Sequence, residues 1–376
     1  MPRGLRERFD DEKRSSGPGA TGHRHRMHND SPLRPRRETS PRNPGVWRSS
    51  AGSLARGAIA ALLLASPAAA QSQSAPGDDF LGLSAIPVLQ VAIPAEAWWT
   101  GPVSASSAET LPRGRFLLEP YLFDVRKADA DHLGSLTYLL YGLTDRTTVG
   151  AIPTFGSTGI RGSGRKRRFA ANDLTLTLQH RLNRAREGAL VPTVSLVVQQ
   201  SLAIGRFDRL DGDVGRGIGI GTPTTLVGLY AQRVDRMAGG RPLRTRLNLT
   251  HSLPWPTTVR DDSVYGTPAG YRGTVRPGRT TLLDLSVEYS LSRSWVLAAD
   301  LVLRRTAAGR LDGTTGIMGG DRLRSRLPAA EGVSVAPAVE YSWSSTRGVL
   351  LGVRLSPRSG ASTAAVTPVM AFNAIF

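Results

Sequence analysis

The chain of 376 residues contains no cysteine. That excludes disulfide staples and thiolate metal sites, and it suits a chain that crosses an oxidising periplasm unfolded. Long apolar runs are missing too. The main one, Ala58 to Ala65, is far short of the roughly 18 to 20 residues that a membrane-spanning helix needs. No stretch repeats apolar residues at the helical spacing over any length. The glycine-rich "GDVGRGIGIGTP" at 212–223 lacks the G-x-G-x-x-G spacing and has no helix pattern after it, so it offers no phosphate cradle and reads as part of an external loop.

Acidic residues are scarce relative to basic ones, 30 Asp and Glu against 48 Lys and Arg. Such an excess raises nucleic-acid binding as a reading. The arginines, however, are spread along many short segments without a clustered stripe, and no nucleic-acid partner is expected. Part of the excess falls in residues 1–70, which hold 13 basic and 6 acidic residues. There Arg48 and Arg56 precede the apolar run, and Ala68 and Ala70 have the Ala-x-Ala spacing of a signal-peptidase site. The reading is a cleaved signal peptide ending at Ala70, with an extension before it long enough to suggest Val46 as the true start. The "HRHRMH" at 23–28, a metal-binding pattern by composition, would be lost with that segment.

Period-two alternation, by contrast, is abundant. The chain finishes on "AAVTPVMAFNAIF", in which Met370, Phe372, Ala374 and Phe376 share one phase. Twelve such segments are predicted: 115–125, 135–143, 147–155, 171–182, 193–204, 219–232, 242–253, 281–291, 295–305, 333–343, 349–356 and 364–376. Most are longer than the five or six residues usual in soluble sheets, and they suit tilted membrane strands. In "NDLTLTLQHRLN" the leucines 174, 176, 178 and 182 oppose Asp173, Thr175, Thr177, Gln179 and Arg181. Segments 242–253 and 281–291 repeat the pattern. Short links (144–146, 183–192, 233–241, 292–294, 344–348) alternate with long ones (156–170, 205–218, 254–280, 306–332), the signature of periplasmic turns and external loops. Tyr141, Trp295, Tyr341, Trp343 and Phe376 fall near the periplasmic strand ends as girdle residues. Pro120 and Pro337 sit mid-strand, where each removes a ladder donor. His180 and His251 fall in the lipid phase and are read as neutral interface residues.

The fold class expected is therefore all-β, a transmembrane antiparallel up-and-down barrel of about 12 strands over 114–376. A periplasmic or luminal leader at 71–113 precedes it, with the apolar "FLGLSAIPVLQVAIP" at 80–94 as a partial plug.

At "WWTGPVSASSAETLPRGRFLLEPYLFDV", "YGLTDRTTVGAIP", "SVYGTPAGYRGTVRPG" and "VEYSLSRSWVLAADL" the chain resembles a family of Gram-negative outer-membrane transporters grouped with the meta-pathway phenol-degradation proteins. The resemblance spans roughly 98–376. It implies an outer-membrane barrel that passes small aromatic or hydrophobic compounds, and it brings no catalytic pattern.

The inward phase carries Glu119, Asp173, Arg181, Arg244, Arg246, Asp284, Glu288, Asp300, Arg304 and Glu340 as candidate lumen-lining residues. These side chains can line an aqueous path, or pair across strands and close it. Phe376 and Phe372 are candidates for the signal that the barrel-assembly machinery reads. The expectation is a passive channel with outer-membrane lipid and a small solute as partners, and with no cofactor and no enzymatic activity. Two alternatives stand beside it: a closed or adhesive barrel acting through its external loops, and an outer-membrane phospholipase-like enzyme using His180 or His251. Against the second, Ser195, Ser201 and Ser252 lie in the inward phase, away from either histidine.

Overall fold

The computed structural model describes residues 97–376 apart from 165, 186–189, 238, 317–319 and 360–362. The signal peptide, most of the leader and its 80–94 stretch lie outside the described residues.

The strands are β1 (Phe116–Arg126), β2 (Ala130–Thr144), β3 (Thr147–Ile152), β4 (Thr154–Ile160), β5 (Ala170–Ala171), β6 (Leu174–Asn183), β7 (Thr193–Leu202), β8 (Thr224–Arg236) and β9 (Pro242–Pro254). They continue as β10 (Thr257–Arg260), β11 (Tyr271–Arg276), β12 (Thr280–Ser290), β13 (Trp295–Thr306), β14 (Gly309–Thr315), β15 (Arg322–Leu327), β16 (Ala330–Ser344), β17 (Arg347–Ser356) and β18 (Ala365–Ile375). No α-helix occurs among the described residues; a single 3-10 turn spans Val214–Arg216. β3 and β4 form one wall strand interrupted at Pro153, whose missing N–H ends the pairing with β6. Counted so, twelve antiparallel strands form the wall, and β18 pairs with β1 to close it.

Closure explains the terminal Phe376. Its N–H donates to the Phe116 carbonyl at 2.9 Å, and its own carbonyl accepts from Phe116 N–H at 3.2 Å, which extends the seam between the first and last strands. The two rings also meet on the outside, 6.5 Å apart. From there an aromatic band continues through Phe372, Trp343, Tyr341 and Trp295, with ring separations of 6.0, 6.4 and 4.6 Å. Above it the outward phase is aliphatic, with exposed Leu176, Leu178, Leu196, Leu249, Leu297 and Val335 among others. Rings at one edge and aliphatic side chains above them match a bilayer's interface and hydrocarbon. Pro337 faces this side on a strand that keeps its register, opposite Ala299. His180 and His251 also lie on the outward phase, each bonded through Nδ1 to a cross-strand threonine, Thr147 at 3.0 Å and Thr281 at 2.9 Å.

One expectation is corrected at the external end. The links over 254–280 and 306–332 are not irregular loops: β10 and β11 carry β9 and β12 upward, β14 and β15 carry β13 and β16, and the four pair as a second sheet. The first external link, 127–129, is only a tight turn, because β1 and β2 themselves extend past the membrane.

Deleting Phe376 removes both seam hydrogen bonds, about 1 kcal/mol each, and one girdle ring. The expected result is a several-fold smaller heat-modifiable fraction in outer-membrane preparations, read by gel mobility with and without boiling.

Candidate functional site

Every long strand has a wet phase and a greasy one, and closing the sheet turns the wet phase inward. The inner wall is itself two-sided. On β9, β12, β13 and β16 it presents Arg244, Arg246, Asn248, Asp284, Glu288, Asp300 and Glu340, all buried. On β1, β2 and β18 it presents Leu117, Tyr121, Leu136, Tyr138, Leu140 and Ile375, which line a lumenal cavity of about 510 Å³.

Residues 97–113 run across this lumen as a strap. Trp98 N–H bonds the Arg293 carbonyl at the β12–β13 turn, and at the other end Leu111 N–H bonds Thr148 Oγ1 on β3 at 2.9 Å. Between these ends much of the strap's hold is through its backbone. Glu340 Oε2 accepts from Thr100 and Gly101 N–H at 2.7 and 2.9 Å. The Asp300 carboxylate accepts from Ser104 and Ala105 N–H, both at 3.2 Å. Going the other way, Arg246 Nη1 donates to the Ala105 carbonyl at 2.8 Å, Asn248 to Ser106 at 3.2 Å and Gln179 to Ser107 at 2.9 Å. Ser195 donates its hydroxyl to the Ala108 carbonyl. An irregular segment has no ladder of its own, so its buried N–H and C=O groups need such partners.

Charge pairing completes the arrangement. Glu288, fully buried, receives Arg244 through both nitrogens of a fork, one contact being 2.6 Å from Nε. Arg246 Nε lies 2.9 Å from the same carboxylate. That contact is ionic, since the nitrogen lacks directed hydrogen-bond geometry. The strap contributes Glu109, which takes Arg181 at 2.6 Å and the Thr193 hydroxyl at 3.2 Å. Trp99 lies under the Arg244 guanidinium, 4.4 Å from its ring centre, and Trp98 under Arg293 at 4.9 Å. The paired tryptophans thus anchor the strap where it leaves the periplasmic rim. At its far end Gly142 lets the Pro112 carbonyl approach so closely that a Cβ would overlap it.

The remaining candidates are placed differently. Glu119 accepts from Asn373 Nδ2 at 3.2 Å on the apolar side of the lumen. Asp173 lies just before β6, where its carboxylate accepts from Gly205 and Ile220 N–H at 3.0 and 3.1 Å and pins the 203–223 loop at the external mouth. Arg304, in phase with Asp300, is exposed above the strap. Asp284 is buried with one carboxylate oxygen unpartnered. At the external rim the hydrogen bond from Arg161 holds the Asp131 carboxyl below its ordinary range. Ser195 and the two histidines lie on opposite sides of the wall, so they form no dyad.

Sequence reasoning gave a periplasmic or luminal leader over 71–113 with a partial plug at 80–94, which lies outside the described residues, and did not single out 97–113 as the part bound in the lumen. The strap's Gly, Ser and Ala content is the signal that was available: short side chains let a backbone thread between wall carboxylates.

No family model matches the chain, and no curated protein matches it. Among solved structures it is similar to an outer-membrane channel from Pseudomonas putida F1, with 14% identity, a TM-score of 0.54, and coverage of 73% of this chain and all of that one. The NanC porin (9% identity, TM-score 0.36, 68% and 98% covered) and the CymD monoaromatic hydrocarbon channel (10%, 0.35, 71% and 89%) are more remote, and no argument rests on them. The likeness to the first is one of fold.

Removing one partner of a buried charge pair leaves the other uncompensated, at about 3 to 5 kcal/mol. Glu288→Ala strands two arginines. The unfolding free energy of the refolded barrel, read by urea titration, is expected to fall by that order, whereas Arg304→Ala should leave it unchanged.

Proposed function

We propose that the protein is an outer-membrane channel through which a small solute diffuses passively, and that the strap sets the cross-section of the path. The observation that carries this reading is the two-sided lumen: an apolar, tyrosine-rich wall faces a charged, hydrogen-bonding one across a cavity of about 510 Å³. A barrel serving only as a scaffold has no need of such a space. The outward aromatic band and aliphatic surface suit the outer membrane, and the fold likeness to an outer-membrane channel agrees with that location.

The solute class that fits is a small molecule with an apolar face, aromatic or hydrophobic, and a polar edge. Tyr121, Tyr138 and Tyr230 would take the face, and Arg354 and Asp284 would take the edge. Mechanistically the chain's own groups orient such a molecule without reacting with it. Arg244 and Arg246 share the Glu288 carboxylate, which offsets one of their two charges, and they act chiefly by holding the wall and strap. Phe376 and Phe372, at the closing seam, remain our candidates for recognition by the assembly machinery. One feature favours a closed barrel as second reading, namely the number of bonds that tie the strap across the lumen.

Planar-bilayer recordings separate the two. Deleting residues 100–110 should raise single-channel conductance several-fold over an intact chain that already conducts. An intact chain with no conductance, opened by the deletion, would support the closed barrel instead.

A further inference from the structure

The second sheet, ordered β10-β11-β14-β15, has two unlike faces. One buries Val259, Tyr271, Val275 and Leu311 against Phe207 and Tyr265. The other, in the opposite phase of every strand, is arginine. Arg276, Arg310 and Arg326 stand abreast on three neighbouring strands, and Arg260 opposes Arg272. Arg322 and Arg324 share the face's sole acid, Asp312, at 3.4 and 3.5 Å. All seven arginines are exposed, and among the described residues the other five have no acidic partner. Arginines dispersed along the sequence are thus gathered in space, which corrects the reading that they form no stripe.

Like charges set directly opposite on a sheet destabilise it. Protection of sheet edges accounts for charge on β10 and β15, but Arg276 and Arg310 lie on the inner strands β11 and β14. Direction follows from the loop that covers the apolar face. Residues 203–223 bond to the β10–β11 link of this sheet through Leu210 and Asp262, and they also reach β4, where Gly215 abuts the Thr158 carbonyl. In the wall β4 stands across the barrel from β13, so the loop spans the mouth. The apolar face therefore looks toward the barrel axis and the arginine face away from it. Below that face the outward aliphatic phase ends at Leu303 and Val333, and the next outward pair is Arg305 with Glu331 at 3.4 Å. The arginine face thus stands just outside the hydrocarbon, at the height of the headgroups.

We propose that this face binds the phosphate groups of the glycolipid that makes up the outer leaflet. Guanidinium forks pair bidentately with phosphate, and several phosphates at membrane density can neutralise a row that no protein acid does. The site holds the barrel's tall side upright in the leaflet and is separate from the lumen.

The test uses the full-length protein in detergent, with lipopolysaccharide, the same lipid enzymatically dephosphorylated, and inorganic pyrophosphate as probes. Replacing Arg276, Arg310 and Arg326 by Glu should weaken lipopolysaccharide binding by roughly 100-fold or more, from the worth of three basic side chains at an anionic surface. Wild-type protein should bind the dephosphorylated lipid equally poorly, and added salt should weaken its binding to the phosphorylated lipid. Heat-modifiable mobility verifies folding, and the corresponding triple Gln variant supplies the comparison if the Glu variant does not fold. Equal binding of lipopolysaccharide by folded variant and wild type, or equal binding of the two lipids by wild type, overturns the proposal. Displacement of the lipid by equimolar pyrophosphate also overturns it, by assigning the face to free anions.

Discussion

The lumen depends on a backbone that has no sheet to join. Residues 97–113 lie inside a closed barrel whose own ladder bonds are already made between neighbouring strands, so between its ends the strap's N–H and C=O groups are met chiefly by side chains. Glu340 and Asp300 meet four of the N–H groups, and Arg246, Asn248, Gln179 and Ser195 meet carbonyls. This requirement puts charged and amide side chains on one half of the inner wall. Having placed them there, the chain must also neutralise them, and Glu288 between Arg244 and Arg246 is the result. The opposite half, free of that duty, is apolar, and the cavity lies between the two.

Much of this barrel was legible because its governing period is two. All twelve wall strands lie where alternation placed them, usually within a few residues, and the phase of Leu174, Leu176 and Leu178 against Thr175 and Thr177 gave the inside and outside of β6 directly. Failures came where the period gives no information. The strap has no alternation, since side chains from the wall satisfy it. The external strands were hidden by phase slips at 255–256, 277–279, 307–308 and 328–329, which break each long hairpin into two short runs. Asp173 looked like a wall residue because it continues the alternation of β6, yet it sits one position before the strand and pins a loop. Pairing across strands could not be read either: Glu288 opposes Arg244 through a register that only the closed sheet fixes.

The two ends of the molecule solve different problems with the same residue type. Below, Arg244 and Arg246 are desolvated and share the Glu288 carboxylate, Arg244 forked onto it and stacked on Trp99, so that both act as structural ties. Above, the arginines of the second sheet are exposed, and only Arg322 and Arg324 have an acid, Asp312, so the charge of the other five remains available to something outside the protein. A formal excess of +18 over the whole chain therefore says little until burial divides it into neutralised and free portions.

Because the chain has no thiols of its own, a cysteine pair can test the strap's position without background. Thr100 Oγ1 and Ser342 Oγ are 3.1 Å apart across the strap–wall contact, within reach of a disulfide. Thr100→Cys with Ser342→Cys, oxidised in isolated outer membranes, is predicted to crosslink nearly completely, so that protease fragments bearing residues 100 and 342 separate only after reduction. If both thiols instead remain free and are readily alkylated, the strap does not lie in the lumen and the account of the site fails.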